Sequence, residues 1–287
     1  MNTTDLKYTR IGAQLQPIGY LPPDGYNRSM TIKGVIFDLG STLIEYRGEW
    51  RAVLKGQIGS VLDYLRANGL TLPAEFEPRY EALIDQFYTR GQQDWIEFTA
   101  EYTLQYALTE CGLLDQPADL IRGALAAGFA EGEKLWVPFD DVYDTLDTLK
   151  AHGYKLGIVS NARDAANVER LIDQARLRPW FNPIVISANV GVRKPHPRIF
   201  KGVLDAWQLN PAEVVMVGDM LGADVLGAHN AGLRGIWATM QAERGANEAH
   251  QYTIVPDGVI KSLSELPELL RQWDSEIVQK SGSSIVG

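Results

Sequence analysis

The sequence predicts an α/β protein: a parallel sheet with helices on both faces, into which a separate run of helices is inserted. Three observations predict it. From Pro138 onward, short apolar runs alternate with helical periods, the pattern of strand–helix–strand units. A further apolar run, residues 33–39, stands far upstream of them. Between the two, across residues 50–137, apolar side chains recur at helical spacing and strand-like alternation is absent.

In chain order, Pro17, Gly19, Pro22, Pro23, Asp24 and Gly25 break any period, so residues 1–30 read as an irregular arm. Residues 33–39 read as a buried strand. Val53, Ile58, Val61, Leu62 and Leu65 follow at helical spacing, and Asn68-Gly69 marks a helix end. Similar spacing over residues 80–88, 95–108 and 120–129 gives four or so helices. After Pro138 comes a helix over 141–152, stopped by Gly153, and then a strand over 154–160 that is apolar nearly throughout, as central parallel strands are. A helix over 165–175, a strand over 184–186, a helix over 198–207 and a strand over 214–218 continue the alternation. A helix over 223–230, a strand over 234–237 and a helix over 263–273 complete it, and Val255 and Val259 fit either state. Residues 276–287 read as a flexible tail. The first strand belongs with the later ones, so 31–49 and 138–275 form one α/β core and 50–137 a helical insertion.

The chain has 287 residues, 45% of them hydrophobic, enough for a sizeable core. Lys and Arg number 27 against 36 Asp and Glu, a formal net charge of -9, which disfavours nucleic acid or an anionic membrane as partner. Cys111 is the only cysteine, so an intramolecular disulfide and a cysteine zinc site are both excluded, and it reads as a small buried hydrophobe. No apolar run approaches the ~18 residues of a membrane span, and no basic, then apolar leader opens the chain. The expected location is the cytoplasm, as a monomer or homodimer.

Four strand ends carry polar signals, at the edge where such sheets bind ligands. Asp38 ends the first strand. Ser160-Asn161 ends the second, Lys194-Pro195 follows the third, and Gly218-Asp219 ends the fourth with Asp224 five residues on. Singly, each has an ordinary reading: a turn-starting Asp, a helix N-cap region, a solvated loop lysine, a first-turn carboxylate. Jointly they supply two carboxylates for a divalent cation, a hydroxyl and an amide for an oxyanion, and one lysine. That inventory suits phosphoryl chemistry, because Mg²⁺ takes few carboxylates and shares its shell with substrate phosphate, while lysine places a point charge on phosphate or carboxylate.

With these residues the sequence resembles the haloacid dehalogenase-like hydrolase superfamily, of Rossmann-like fold, over residues 33–270 apart from the helical insertion. That insertion stands where the family's cap lies between its first and second motifs. The motifs read Asp38-Leu39-Gly40-Ser41-Thr42, Val159-Ser160-Asn161, Arg193-Lys194-Pro195, and Gly218-Asp219 through Asp224. The resemblance implies a Mg²⁺-dependent phosphomonoester hydrolase of a small phosphorylated metabolite. Asp38 would be the nucleophile that forms an aspartyl-phosphate. Asp38, Asp219 and the Gly40 carbonyl would ligate Mg²⁺, with Asp224 in the outer shell. Ser160 and Asn161 would bind phosphate, Lys194 would neutralise charge, and Thr42 would support the site.

The departure is Gly40, where the family's phosphatases usually carry a second Asp that acts as acid and base. Glycine retains the carbonyl and loses the proton, a loss worth about 10²–10⁴ in rate. Glu45 is a carboxyl near in sequence. Two other readings follow: a metal-independent 2-haloacid dehalogenase, opposed by Gly40 in place of Tyr and by Gly218-Asp219 in place of Ser-Asn, and a non-catalytic binding or regulatory protein. Gly40 argues against a mutase. Trp50, Trp95 and Tyr102 read as core aromatics of the helical insertion, with a place beside substrate as the other option. His196 reads as a loop histidine.

Overall fold

The computed structural model describes residues 8–11, 14–17, 30–48, 50–242 and 244–283. Two short strands come first, β1 (Tyr8–Ile11) and β2 (Gln14–Pro17), paired antiparallel. Over these residues a ladder stands where the irregular arm was expected, since main-chain pairing carries a hairpin without apolar alternation. The other residues of 1–29 lie outside the described ones.

Strand β3 (Gly34–Phe37) leads into β4 (Ile44–Tyr46), and four helices follow: α1 (Trp50–Ala67), α2 (Phe76–Asp94), α3 (Ala100–Glu110) and α4 (Ala118–Glu133). The chain returns through β5 (Trp136–Pro138), which pairs antiparallel with β4, Tyr46 opposite Trp136. The four helices bury a core of their own, including Leu62, Leu65, Phe76, Leu83, Leu104 and Ile121. The expected helix over 95–108 begins only at Ala100. Trp95 ends α2 in the left-handed conformation, Ile96 bridges to Val192, and the Thr99 side chain caps α3 by accepting from Tyr102 N at 3.0 Å. Cys111 is half-buried at the end of α3.

The rest alternates as expected: α5 (Val142–Ala151), β6 (Lys155–Ser160), α6 (Ala165–Gln174), β7 (Ile184–Ile186), the short α7 (Ser187–Val190), α8 (Arg198–Trp207) and β8 (Val214–Gly218). A π-helical turn (Leu221–Val225) opens α9 (Leu226–Asn230), then come β9 (Arg234–Ala238), α10 (Arg244–Glu248), β10 (Gly258–Ile260) and α11 (Leu266–Ser283). β10 resolves the ambiguity at Val259 as a strand, whereas Val255 lies outside it. Helix α11 reaches Ser283, ten residues beyond the expected end and into the segment read as a flexible tail.

The six long-range strands form one parallel sheet in the order β10-β9-β8-β3-β6-β7. Their side chains alternate between two cores. Val35, Phe37, Leu156, Ile158, Val215 and Val217 pack with α5, α6 and α11, while Ile36, Val159, Val214 and Met216 pack with α8 and α9. Burial on both faces is why these strands are apolar without a polar alternate. From β3 the chain goes one way, to β6 and β7, and later returns to β8 on the other side of β3. The order therefore reverses at β3, and a crevice opens beyond the carboxyl ends of β3 and β8. Phe37 is level with both Ile158 and Val217, which brings Asp38, Ser160 and Asp219 to the same end of the sheet. Among the described residues no helix is long and apolar enough to cross a membrane.

Candidate active site

Lys194 is the centre of the site. It is 2% exposed, and its Nζ donates to Asp38 Oδ1 at 2.6 Å and to the Val159 carbonyl at 2.7 Å. The same ammonium forms an ion pair with Asp224 Oδ1 at 2.7 Å. Asp224 is fixed from the other side, its Oδ2 accepting from Met220 N at 2.9 Å. The π-helical turn that carries Asp224 packs against Gly218, and a Cβ on Gly218 would stand 2.2–2.6 Å from the Asp224 side chain. The Gly-Asp pair thus has a steric reason: residue 218 must lack a side chain for Asp224 to reach Lys194.

Asp219 is 6% exposed, and its backbone carbonyl is held by Trp237 Nε1 at 2.9 Å and by Asn247 Nδ2 at 3.0 Å. Asn247 also accepts from Leu221 N at 2.7 Å, so it braces the loop on both sides of Met220. Neither Trp237 nor Asn247 was singled out in the sequence. Each acts through a contact to main chain, which leaves no motif.

Asn161 lines the cavity and is also tied to the main chain of Lys194. Its Nδ2 donates to the Lys194 carbonyl at 3.0 Å and its Oδ1 accepts from Lys194 N at 2.8 Å. The amide side chain therefore brackets the lysine backbone and sets the height of the ammonium. Thr42 is fully buried, and its hydroxyl has no hydrogen-bond partner among the described residues. Ser160, 6% exposed, closes β6.

Asp38, Gly40, Ser160 and Asn161 line a cavity of about 800 Å³ that runs between the sheet end and helices α1, α2 and α4. Lys194, Asp219, Asp224 and Thr42 are buried and do not line it. Over Gly40 stands Trp136, which also lines the cavity. A Cβ on Gly40 would lie 3.1 and 3.3 Å from two atoms of the indole, which in turn packs on Tyr46 with ring centroids 5.0 Å apart. An aromatic ring delivered from β5 thus crowds the position of the expected acid. Glu45 does not replace the acid: it pairs with Arg47 at 2.5 Å and lies outside the cavity lining. Trp95, Tyr102 and His196 do not line it either. Trp95 stacks edge-on with His196, and Tyr102 joins Phe87, Phe98 and Tyr106. The Trp50 side chain lies outside the described residues.

Three carboxylates share one ammonium here. Burial pushes Asp38 up to about 6 against the pull of Lys194, with Asp224 adding to the rise. Burial also pushes Asp219 up to about 9, with Asp224 and Asp38 adding to it. Burial opposes the charge on Lys194, but Asp224 and Asp38 outweigh it and hold the ammonium above its ordinary value. Among the described residues no three His, Cys, Asp or Glu side chains form a ready cage. The donor set nevertheless fits Mg²⁺, which takes one or two carboxylates and completes its shell with water and substrate oxygens. Asp38 and Asp219 would be the two carboxylates, and among the described residues no backbone amide donates to the Gly40 carbonyl.

An expected result follows for the metal-free protein. Because the folded-state values of Asp219 and Asp38 lie above the unfolded one near 3.8, the folded state keeps protons that the unfolded state releases. In chelator, stability should rise as pH falls from about 9 toward 4, and saturating Mg²⁺ should flatten that slope. Calorimetric melting at several pH values checks it, and stability rising with pH in chelator would show the pair already ionised.

A family model described as haloacid dehalogenase-like hydrolase matches residues 32–232. The chain is 29% identical over 242 residues to a glyceraldehyde 3-phosphate phosphatase of Pyrococcus furiosus, covering 84% of this chain and 94% of that protein. It is 29% identical over 224 residues to a phosphoserine phosphatase of Thermus thermophilus, covering 72% and 88%. A solved 2-haloacid dehalogenase from Pseudomonas syringae superposes with a TM-score of 0.61 at 27% identity, covering 85% of this chain and all of that one. A HAD phosphatase from Thermococcus onnurineus superposes with a TM-score of 0.56 at 23% identity, covering 83% and 98%, a likeness of fold. The family match runs from the first sheet strand past the Asp219 loop, and the chain belongs to the haloacid dehalogenase-like hydrolases.

Proposed function

We propose that the protein is a Mg²⁺-dependent phosphatase of a small phosphorylated metabolite, with Asp38 as nucleophile. The observation that supports this best is the Asp38–Lys194–Asp224 cluster at the point where strand order reverses, with Asp38 alone of the three facing the cavity. Relatives named for glyceraldehyde 3-phosphate and phosphoserine support the substrate class. An Asp38 oxygen attacks phosphorus, the bond from phosphorus to the ester oxygen breaks, and the leaving oxygen takes a proton from water. Water then attacks the phosphorus of the aspartyl-phosphate, which releases inorganic phosphate and restores the carboxylate. Lys194 holds the attacking carboxylate in place and offsets the negative charge around it. The Ser160 hydroxyl donates to a phosphoryl oxygen. Asp38, Asp219 and the Gly40 carbonyl would hold Mg²⁺, which when bound supplies positive charge beside the phosphoryl group.

Release of phosphate from a panel of phosphorylated metabolites, with and without Mg²⁺, tests the proposal. Asp38→Asn should reduce turnover to background, and activity surviving that change would sink the nucleophile assignment.

A second reading is favoured by Gly40. Halide leaves without a proton, so a nucleophile with no neighbouring acid suffices for dehalogenation, and a solved neighbour bears that name. Asp219 weighs against it, since a metal-free reaction gains nothing from a second buried carboxylate beside the nucleophile. Chloride release from 2-chloropropionate in chelator would favour the dehalogenase.

A further inference from the structure

The residue before Lys194 is also buried and charged, yet among the described residues its side chain makes no hydrogen bond. Arg193 is 7% exposed and lines the same cavity as Asp38. Its Nε has no hydrogen-bond partner among the described residues. Glu97 Oε2 is 3.8 Å from that Nε, too far for a hydrogen bond, and already accepts from Ser187 Oγ at 2.8 Å. The Tyr88 ring lies 5.6 Å from Cζ and covers one face of the guanidinium.

A guanidinium carries five N–H donors, and leaving such donors unmade in a buried place is costly. The backbone of Arg193, by contrast, is fixed, its N–H donating to the Trp95 carbonyl at 3.0 Å. The side chain is therefore held at the cavity wall, paired at long range with Glu97 and with its Nε unsatisfied among the described residues. Arg163 lines the same cavity and hydrogen-bonds only to neutral acceptors, the Phe98 carbonyl and the Thr103 hydroxyl, so its charge adds to that of Arg193. Glu97 and Asp85 also line the cavity. Glu133 and Asp164 line it as well, so the place has no cationic surplus, and an anion would be held there by the hydrogen-bond donors of the guanidinium rather than by net charge.

We propose that Arg193 is a specificity residue that receives a carboxylate carried by the substrate at the end away from the phosphoryl group. The physiological substrates are then phosphorylated carboxylic acids. The planar fork of arginine matches a carboxylate in bidentate fashion. Because Arg193 and Lys194 are consecutive, the loop that holds the nucleophile through Lys194 also carries the group that would receive the carboxylate. This deepens the phosphatase reading and rests on it for the identity of the other end.

Binding separates the two ideas. Isothermal titration in Mg²⁺ compares 3-phosphonopropionate with propylphosphonate, which lacks the carboxylate and is not hydrolysed either. The unaltered protein should bind the first about 10- to 100-fold tighter, the range of a charge-assisted hydrogen-bonded pair. Arg193→Gln should bring the affinity for 3-phosphonopropionate down to that for propylphosphonate, and Arg193→Lys should keep part of the difference. Equal affinities in the unaltered protein, including no binding of either, overturn the proposal whether or not the variants fold. So does a parallel loss of both ligands in Arg193→Gln, which would mark a structural role. Failure of the phosphatase reading is recognised separately, as absence of phosphate release from every metabolite tested.

Discussion

Replacing Lys194 with methionine will abolish turnover and remove a large part of the protein's stability. Methionine preserves most of the stem's volume, so the packing around it survives. What is lost is the ammonium that pairs with Asp38 and Asp224, at 2.6 and 2.7 Å. Removing one partner of a buried ion pair costs about 3–5 kcal/mol, because the remaining charge has neither water nor a counter-ion. The deficit should shrink at low pH, where protonation of Asp38 substitutes for part of the missing cation. Urea unfolding at pH 7.5 and pH 5.5 measures this, and a deficit independent of pH would mean that packing, not charge, accounts for the loss.

Gly218→Ala should have an effect out of proportion to one methyl group. All three of the closest atoms to the new Cβ belong to Asp224, at 2.2, 2.3 and 2.6 Å. A side chain on the surface would swing aside, but Asp224 is 1% exposed and tied to both Lys194 and Met220 N. The added methyl therefore breaks one of those ties. Overpacking of this kind costs about 1–3 kcal/mol, and losing the placement of Lys194 should lower kcat/KM by about 10²-fold or more. The steric account makes a further demand. In an Asp224→Ala background the same Gly218→Ala change should cost little, so the double-mutant cycle should be strongly non-additive. Additive costs would point instead to the backbone of β8.

What was legible in the sequence was the part fixed by burial and by local order. β3, β6 and β8 declare themselves because both faces are covered, and their ends carry Asp38, Ser160 and Asp219. Three-residue strands such as β5 and β10 are too short to show a period, and β5 was read as the end of the helical segment. The stretch Trp95–Thr99 was read as helix because its apolar spacing continues that of α3. Only its pairing with Val192, nearly a hundred residues on, pulls it straight. The contact that holds Asn161 is hidden for a similar reason. An amide beside a hydroxyl suggests an anion site, and the competing partner, the Lys194 backbone, is visible only in three dimensions. Gly40 was noticed for what it lacks, but nothing in the chain says that Trp136 stands over it.

That indole makes the missing acid hard to regain. An aspartate introduced at Gly40 alone meets the ring, and shortening Trp136 alone strips Tyr46 of its packing partner while supplying no proton. Either change alone starts at a disadvantage. For the proposed phosphatase, esters whose leaving oxygen departs readily as an anion should react fastest, and turnover should fall steeply as the parent alcohol becomes less acidic.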